Sequence, residues 1–328
     1  MTLFQKYNEI INVNKEKFTS QPLPMDLWVV TEKVHGSNLS LLVTANSIRI
    51  ASRNQVLDNE SQYHRIIEIM PGDIMAKARD LFTSIQKETK DVMQVTIYGE
   101  LAGGYYDKKS TGTRIQKGVQ YAPHNFFIGF DIKVFLMNMG AAFMPKSTAF
   151  EKMAEVGMYH VPLLKYGSMK EAFDFDSKIP TKIPSTLFNL PPLEGNMMEG
   201  VVISPDHPYF FPSGERIIFK KVNEEFSETK AAKDRPVIPQ EVSEELKLAI
   251  NEVVDFINET RLEHVLSHFI VPTEQDFGQI LKEMNQDVMK EFYLTTEISL
   301  SKEDAKRLSK EVNKRCASLI KEVWLPKV

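Results

Sequence analysis

The feature that most constrains the fold of this chain is a change near Phe226 in the spacing of apolar and turn residues. From Asp26 to Val222, short apolar runs alternate with turn residues, a pattern typical of β-strands. Several connections are too short to hold crossover helices, so we expect antiparallel strands. Helical stretches near residues 74–88 and 147–157 interrupt them. We therefore predict an α+β fold for this part of the chain.

The segment that follows has a different composition. It is polar, it carries Pro236 and Pro239, and it is predicted to be a linker. From there to the end of the chain, Gly278 is the only glycine, and apolar residues recur at helical spacing. We expect a small all-helical domain here, since a β-barrel needs more turns and glycines. The predicted domains are residues 1–234 and 235–328.

Composition narrows the class of protein. The formal net charge of the 328 residues is −4 and the isoelectric point is about 6.0, so nucleic-acid binding must come from local basic patches. Cys316 is the only cysteine, which excludes an internal disulfide, and its helical context indicates an idle thiol. No apolar run approaches the ~20 residues of a membrane helix. Glu9 and Glu16 argue against a secretory or mitochondrial leader. We expect a cytoplasmic protein without a membrane segment.

One lysine lies at a strand end, close to a glycine. In the stretch "EKVHGSN", strand alternation points Lys33 away from Glu32. Gly36 is expected to supply positive φ, so the stretch is predicted to be a β-hairpin turn. Taken alone, Lys33 is either a solvated lysine before that turn or a nucleophile, since a neutral amine can attack an electrophile. His35 is equally ambiguous.

Further charged residues lie within apolar, strand-like runs. Such charges are costly unless they are paired or functional. A single case would indicate a structural ion pair, whereas several in one domain suggest a shared polar cleft. These residues are Glu100, Asp131, Glu199, Lys220 and Lys221. Lysines and carboxylates together suit a divalent metal and phosphate groups, and the neighbouring Phe130 suits stacking on a nucleobase.

Six short motifs, taken in order, resemble those of the RNA ligase 2 family of covalent nucleotidyltransferases, which includes the trypanosomal RNA-editing ligases. They are "KVHGSN", "YGELAG", "IQKGVQY", "FFIGFDI", "MEGVVIS" and "RIIFKKVNEEFSE". The resemblance covers nearly the whole chain, including the helical tail, which replaces the oligonucleotide-binding barrel of DNA ligases. The His-Gly-x-Asn form of the first motif is typical of this RNA ligase group rather than of DNA ligases or capping enzymes.

The resemblance implies an ATP-dependent RNA ligase with an antiparallel-sheet nucleotidyltransferase domain. Such an enzyme forms a covalent lysyl-AMP, transfers the AMP to a 5′-phosphate RNA end and seals that end to a 3′-hydroxyl, at nicks in duplex RNA during repair or editing. ATP is the implied co-substrate, and Mg²⁺ or Mn²⁺ is the implied metal. Two alternatives stay open. One is an ATP-dependent DNA ligase or capping-type enzyme, and the other is a non-catalytic nucleic-acid-binding homologue.

The same resemblance implies roles for individual residues. Lys33 would carry the AMP, Lys220 would contact its phosphate and help to activate Lys33, and Glu199 would support the metal. His35 belongs to the first motif without an assigned role. Around the adenosine, the backbone of Glu32 and Val34 would contact the adenine, and Phe130 would stack on it. Glu100 would bind the ribose hydroxyls. Asn38 and Arg53 would lie near the sugar and the α-phosphate.

The chain departs from the family in its last motif, where Lys-x-Lys is common. Here the second lysine of that pair falls on Val222. Side-chain alternation points Lys221 to the face opposite Lys220, unless a β-bulge re-aims it. Lys221 is therefore either an active-site cation or a solvated residue.

Two other regions are candidates for RNA contacts. Residues 103–118 are glycine-rich, basic and aromatic, which suits either a mobile surface loop or a loop that binds phosphates and bases. In the tail, Arg261 would make a local helix ion pair or touch RNA phosphates, and Asp287 and Glu291 share a helix face at i,i+4 spacing. The resemblance links these three tail residues to activity, whereas a solvated helix face is the alternative for Asp287 and Glu291.

Overall fold

The chain folds into two compact units, Met1–Glu225 and Phe226–Val328. The structure, a computed structural model, describes residues 2–14, 21–57, 66–226, 243–269, 272–296 and 298–325. The first unit contains two β-sheets with helices, and the second is helical, so the predicted α+β class is confirmed. The domain boundary predicted between residues 234 and 235 lies outside the described residues.

The described part of the first unit contains ten strands. They are β1 (Ile11–Asn12), β2 (Trp28–Glu32), β3 (Ser37–Thr44), β4 (Ile48–Ser52), β5 (Val92–Gly103), β6 (Asn125–Leu136), β7 (Gly140–Phe143), β8 (Leu163–Gly167), β9 (Gly200–Pro205) and β10 (Phe219–Val222). They form two five-stranded sheets, β1-β10-β9-β2-β8 and β4-β3-β5-β6-β7. Neighbouring strands are antiparallel except for β1 and β10.

One face of the first sheet packs on an apolar core. Trp28 and Val30 of β2 meet Ile203 of β9 and Phe219 of β10 in that core. Because side chains alternate along a strand, the next residues point to the opposite face of the sheet. That opposite face carries the polar residues of the candidate site.

The predicted hairpin around "EKVHGSN" is wrong. β2 pairs with β8 and β9, whereas β3 pairs with β4 and β5 in the other sheet. The residues between Lys33 and Gly36 therefore connect two sheets and do not close a hairpin. The expected positive φ of Gly36 is wrong as well. Glycine is required there by close packing, since a Cβ atom would lie 2.6 Å from the carbonyl oxygen of Leu101.

Four helices lie among the described strands of the first unit, two of them against the second sheet and one against the first. They are α1 (Ile74–Glu88), α2 (Lys146–Glu155), α3 (Met169–Phe173) and α4 (Ile183–Phe188). α1 buries Ile74, Ala78, Leu81 and Ile85, a helical spacing that produces one apolar face. That face contacts β3 and β5. The stretches that the sequence indicated as helical near residues 74–88 and 147–157 thus correspond to α1 and α2.

The second unit is built from helices around one apolar core. Its main helices are α5 (Glu244–Val253), α6 (Glu259–Leu266), α7 (Phe277–Thr295) and α8 (Lys302–Val323). Side chains of Ser243, Asn258 and Ser301 cap α5, α6 and α8 by accepting a backbone hydrogen bond. Cys316 lies in the core, where burial raises the pKa of its thiol to about 12, as expected of an idle thiol. Among the described residues, no helix is long and apolar enough to cross a membrane.

Candidate active site

Two adjacent strands of the first sheet bring Lys33 and Glu199 into contact. Lys33 follows β2, and its backbone N–H donates to the carbonyl of Gly200 at the start of β9 (2.9 Å). Glu199 directly precedes β9, and Lys33 Nζ lies 2.6 Å from Glu199 Oε1. Gly200 is required here, since a Cβ atom would lie 2.2 Å from the carbonyl oxygen of Lys221. The close strand approach is what places both charged groups at one point.

The Glu199 carboxylate is held ionised by its neighbours. Burial by itself would raise its pKa, but Lys33 and His35 outweigh burial and lower the pKa to about 2. His35 Nδ1 lies 3.5 Å from Glu199 Oε2, and the backbone N–H of His35 donates to the hydroxyl of the buried Tyr121 (2.8 Å). Lys33 and His35 therefore flank the two oxygens of one carboxylate.

A second carboxylate, Glu100, lies on the facing sheet. It is the direct cross-strand partner of Asn38, whose amide donates to Glu100 Oε1 (3.4 Å). Burial raises the pKa of Glu100 to about 7, although the charges of Lys33 and Arg53 oppose that rise and the charge of Glu199 adds to it. These electrostatic couplings place Glu100 and Arg53 in the same site as Lys33 and Glu199. The structure thus brings together six of the predicted site residues, Lys33, His35, Asn38, Arg53, Glu100 and Glu199.

Phe130 occupies a β-bulge at the same sheet. Tyr98 pairs with Asp131 and Gly99 with Gly129, so Phe130 is the extra residue of β6. Its ring is half-buried and meets the ring of Tyr7 edge-on, with centroids 4.9 Å apart. The bulge sets Phe130 and Asp131 in a geometry that simple alternation does not predict.

Lys220 and Lys221 point to opposite faces of β10. Phe219 to Val222 pair in continuous register with Ile203 to Gly200, so no bulge re-aims Lys221. Lys221 lies on the side of the apolar core and donates to the carbonyl of Phe175 (2.8 Å). Lys220 therefore shares the sheet face to which Lys33 points. Val222, where the family pattern has a lysine, lies on that same face.

The side chain of Glu32 points away from Lys33. It is buried, and it accepts hydrogen bonds from the hydroxyl of Thr181 and from the backbone N–H of Lys182 (2.9 Å). Burial raises its pKa to about 7, and the two hydrogen bonds oppose that rise. Val34 is buried on the other side of Lys33. The arrangement fixes the backbone on both sides of the lysine.

The expected single polar cleft does not include Asp131. This residue is fully buried, and its Oδ2 accepts from Lys146 Nζ (2.8 Å), Arg216 Nη1 (2.6 Å) and the hydroxyl of Tyr7 (2.7 Å). Burial alone would raise the pKa of Asp131, but the two cations lower it. Lys146 also donates to the carbonyl of Phe130 (2.8 Å). Asp131 is therefore the centre of a structural ion-pair cluster next to Phe130.

In the helical unit, Arg261 and Asp287 contact each other. Arg261 is 2% exposed, and its Nη1 donates to Asp287 Oδ2 across helices α6 and α7. The guanidinium also lies over the ring of Phe256. Asp287 is thus part of an interhelical ion pair, which the expectation of a solvated helix face did not include. Glu291 lies one turn further along α7 and is half-buried.

Sequence reasoning missed several residues that support the site. Tyr7, Lys146 and Arg216 lie far apart along the chain and meet only at Asp131. Thr181 contacts Glu32, which precedes the first motif, and Tyr121 contacts His35 from the end of the "IQKGVQY" motif. For the first three residues the signal in the sequence was Asp131, because a carboxylate inside an apolar strand requires partners.

The residues present fit a magnesium ion that is shared with a bound nucleotide. Within the described part of the chain, no group of three or more His, Cys, Asp or Glu side chains could hold a metal. Mg²⁺ is usually bound by one or two carboxylates, waters and substrate phosphates. Glu199, whose Oε2 has no hydrogen-bond partner in the described structure, could serve as one such carboxylate, and Glu100, on which the charge of Glu199 acts, could serve as a second.

Comparison with known protein families identifies the family of this chain. Residues 26–222 match the model of the family described as RNA ligase. This chain belongs to the RNA ligase family. Residues 240–318 match the family described as T4 RNA ligase 2 C-terminal, so the helical unit of this RNA ligase is of that kind. The predicted resemblance is confirmed, and the predicted class of enzyme, an ATP-dependent RNA ligase, is confirmed at the level of the family.

Individual relatives are distant. The mitochondrial RNA-editing ligase 2 of Trypanosoma brucei brucei is 24% identical over 357 residues, which covers 91% of this RNA ligase and 85% of that protein. The mitochondrial RNA-editing ligase 1 of the same organism is 29% identical over 213 residues, or 54% of this chain and 44% of that protein. An RNA ligase of Naegleria gruberi, solved with ATP and Mn, aligns at 14% identity with a TM-score of 0.43 over 68% of this chain and 57% of that one.

Proposed function

We propose that this RNA ligase works through a covalent lysyl-AMP on Lys33 and seals nicks in duplex RNA. The observation that carries the proposal is the contact of Lys33 Nζ with Glu199 Oε1 at 2.6 Å. The carboxylate positions the half-buried Lys33, Lys220 lies on the same sheet face, and the amine can attack a phosphate once it has lost its extra proton. The six motifs in family order support the same chemistry.

In the first step, the Lys33 amine attacks the α-phosphorus of ATP. A nitrogen–phosphorus bond forms, the bond from the α-phosphorus to the bridging oxygen breaks, and pyrophosphate leaves with its electron pair. The proton that the nitrogen loses passes to the leaving pyrophosphate or to water. Glu199 orients the amine, and Lys220 offers positive charge to the α-phosphate as negative charge develops there. A bound Mg²⁺ or Mn²⁺ held by Glu199 would neutralise charge on the phosphates. Phe130 stacks on the adenine, and the backbone of Glu32 and Val34 frames its edge.

The ribose would lie toward the second sheet. Glu100 accepts hydrogen bonds from its hydroxyls, and Asn38 holds the Glu100 carboxylate from the adjacent strand. Arg53 adds positive charge near the sugar and the α-phosphate, in keeping with its electrostatic effect on Glu100. In this arrangement both sheets contribute to one nucleotide site.

In the later steps, a 5′-phosphate oxygen of the RNA attacks the phosphorus of lysyl-AMP and releases the Lys33 amine. A 3′-hydroxyl then attacks the activated 5′-phosphate, the new phosphodiester bond forms, and AMP leaves. The RNA substrate is thus a 5′-phosphate and a 3′-hydroxyl at one break. A cytoplasmic localisation stays a prediction, and the names of the two trypanosomal relatives place those proteins in mitochondria.

The test is transfer of label from α-labelled ATP to the protein, followed by sealing of a nicked RNA duplex. Lys33→Ala is expected to lose the label completely and still to seal a nick that carries a pre-formed 5′-adenylate, because that substrate bypasses the first step. Wild-type labelling by Lys33→Ala would sink the proposal. Labelling from GTP, or preference for DNA nicks, would favour the DNA ligase or capping alternative. A wild-type protein that takes no label would favour the non-catalytic one.

A further inference from the structure

Residues 103–118, here called the cationic hairpin, form an ordered turn between β5 and β6. The backbones of Tyr106 and Lys109 exchange two hydrogen bonds of 2.8 and 2.9 Å. Between them, Asp107 and Lys108 have φ angles of 46° and 63°. Positive φ at both central residues defines a two-residue hairpin turn of type I′. The segment thus contains a defined hairpin turn.

Side-chain hydrogen bonds clamp the rest of the cationic hairpin. The Asn125 amide group accepts from the N–H of Thr113 (2.8 Å) and donates to its carbonyl (2.6 Å). The hydroxyl of Ser110 donates to the carbonyl of Gly104 (2.7 Å). Tyr106 is buried, and its hydroxyl donates to the carbonyl of Pro191. A segment clamped at both flanks can present charges at low entropic cost.

The turn of the cationic hairpin is tied to the candidate active site. The N–H of Asp107 donates to the side chain of Gln120 (3.0 Å). The next residue, Tyr121, accepts a hydrogen bond from the backbone of His35 (2.8 Å), two residues after Lys33. The position of the hairpin is thus coupled to the backbone that carries the proposed nucleophile.

The exposed surface of the cationic hairpin is positively charged. Lys108, Lys109, Arg114 and Lys117 are exposed, and Asp107 is the one acidic residue between positions 103 and 118. The Arg114 guanidinium stacks over the ring of Tyr105, 4.5 Å from its centroid. This local excess of positive charge contrasts with the net charge of −4 for the whole chain. Polyanions bind such patches, because neutralising phosphates releases counterions.

We propose that the cationic hairpin binds the phosphate backbone of the RNA substrate and so holds the broken end beside Lys33. The proposal rests on the proposed function and names the surface that recruits its RNA. Two sources of phosphate are conceivable at this place, the triphosphate of ATP and the RNA backbone. The fixed turn and its spread of exposed cations favour an extended chain of phosphates, so we commit to RNA.

The experiment compares two variants that each remove two exposed lysines. Lys108→Ala combined with Lys109→Ala alters the hairpin. Lys87→Ala combined with Lys90→Ala alters the end of α1 and the connection to β5, and serves as the matched control. Binding is measured with a nicked RNA duplex that lacks the 3′-hydroxyl and so cannot be sealed, over a series of salt concentrations. Adenylylation by ATP is measured in parallel.

For the hairpin variant, we expect the Kd for nicked RNA to rise on the order of tenfold and the slope of log Kd against log salt to fall by about two. Its adenylylation rate and KM for ATP should stay within about twofold of the wild type, which also shows that it is folded. The control variant should match the wild type in both assays. Equal losses of RNA binding in the two variants would overturn the proposal.

Two further outcomes are decisive. A raised KM for ATP with unchanged RNA binding would assign the hairpin to the triphosphate and overturn the proposal. Unchanged RNA binding with unchanged adenylylation would overturn it as well. Because RNA binding is measured without ATP, a wild-type protein that fails to adenylylate would refute the proposed function alone, and the binding comparison would still test the hairpin.

Discussion

Lys33 Nζ and Glu199 Oε1 lie 2.6 Å apart, although 166 positions separate the two residues in the chain. The contact exists because β2 and β9 are antiparallel neighbours whose ends coincide. The same carboxylate faces His35 through its second oxygen. Glu199 therefore has two separable functions in the proposed reaction, one toward the amine and one toward the metal.

We predict that Glu199→Gln lowers the rate of adenylylation about 100-fold and raises the Mg²⁺ concentration needed for half-maximal rate. Glutamine keeps the size of the side chain and loses the charge that orients Lys33. The check is the initial rate of label transfer across a metal titration. If the carboxylate neither oriented the amine nor held the metal, the variant would react as fast as the wild type, with an unchanged metal titration.

Lys220 and Lys221 offer a matched pair of substitutions on one strand. Lys220→Ala is expected to slow adenylylation on the order of 10²-fold, because it removes a cation from the face to which Lys33 points. Lys221→Ala removes the same charge from the opposite face, where the lysine donates to the carbonyl of Phe175. Its rate should stay within a few-fold of the wild type. A larger loss for Lys221→Ala than for Lys220→Ala would contradict the assignment.

Strand-level features of this site could be predicted from the sequence, because they depend on local periodicity. Side-chain alternation along a strand was enough to predict that Lys33 points away from Glu32 and that Lys220 points away from Lys221. The pairing of β2 could not be predicted in this way. Whether two consecutive strands form a hairpin depends on partners elsewhere in the chain, and here β8 and β9 compete successfully for β2.

Polar partners that are distant in the chain could not be predicted from the sequence either. Tyr7, Lys146 and Arg216 carry no local signal, since each is an ordinary residue in its own segment. They become a unit only when the fold brings them to Asp131. Asp131 was therefore expected in the cleft with Glu100 and Glu199, although its carboxylate is ion-paired with Lys146 and Arg216.

Glu100 gives the site a pH dependence. Burial raises the pKa of its carboxyl to about 7, and only the ionised form accepts hydrogen bonds from ribose hydroxyls through both oxygens. Affinity for the nucleotide should therefore increase as the pH rises through 7, by about tenfold between pH 6 and pH 8 if Glu100 is protonated at the lower value. The measurement is the Kd of α,β-methylene ATP, which cannot release pyrophosphate.

Glu100→Gln is the control for that prediction. It removes the titrating group and should bind the analogue more weakly at pH 8, with a flatter pH profile that retains only the titration of the ligand itself. An unaltered profile in Glu100→Gln would show that another group titrates.

The cluster around Asp131 is expected to stabilise the first unit. Asp131→Asn leaves Lys146 and Arg216 buried without their negative partner, a change that typically costs about 3–5 kcal/mol. The chain has two tryptophans, Trp28 and Trp324, one in each unit. Urea unfolding followed by fluorescence in a Trp324→Phe background therefore reports the first unit.

A matched substitution at the surface serves as the control for the loss of stability expected from Asp131→Asn. Asp73→Asn makes the same chemical change in the exposed pair with Lys77, whose Nζ lies 2.7 Å from Asp73 Oδ2. Exposed pairs contribute under about 1 kcal/mol, so this variant should unfold close to the wild type. Similar midpoints for both variants would show that the buried cluster adds no stability.

Substitutions of Arg261 and Asp287 distinguish two roles for Arg261 in the helical unit, a structural ion pair and an RNA contact. Arg261→Met and Asp287→Asn should each lower the free energy of unfolding of this unit, by roughly 1–3 kcal/mol given that Asp287 is partly exposed. The double variant should lose less than the sum of the two, because the pair interacts directly. Unfolding is followed by Trp324 fluorescence in a Trp28→Phe background. If Arg261→Met instead weakened RNA binding and left stability unchanged, the guanidinium would be an RNA contact and the ion pair incidental.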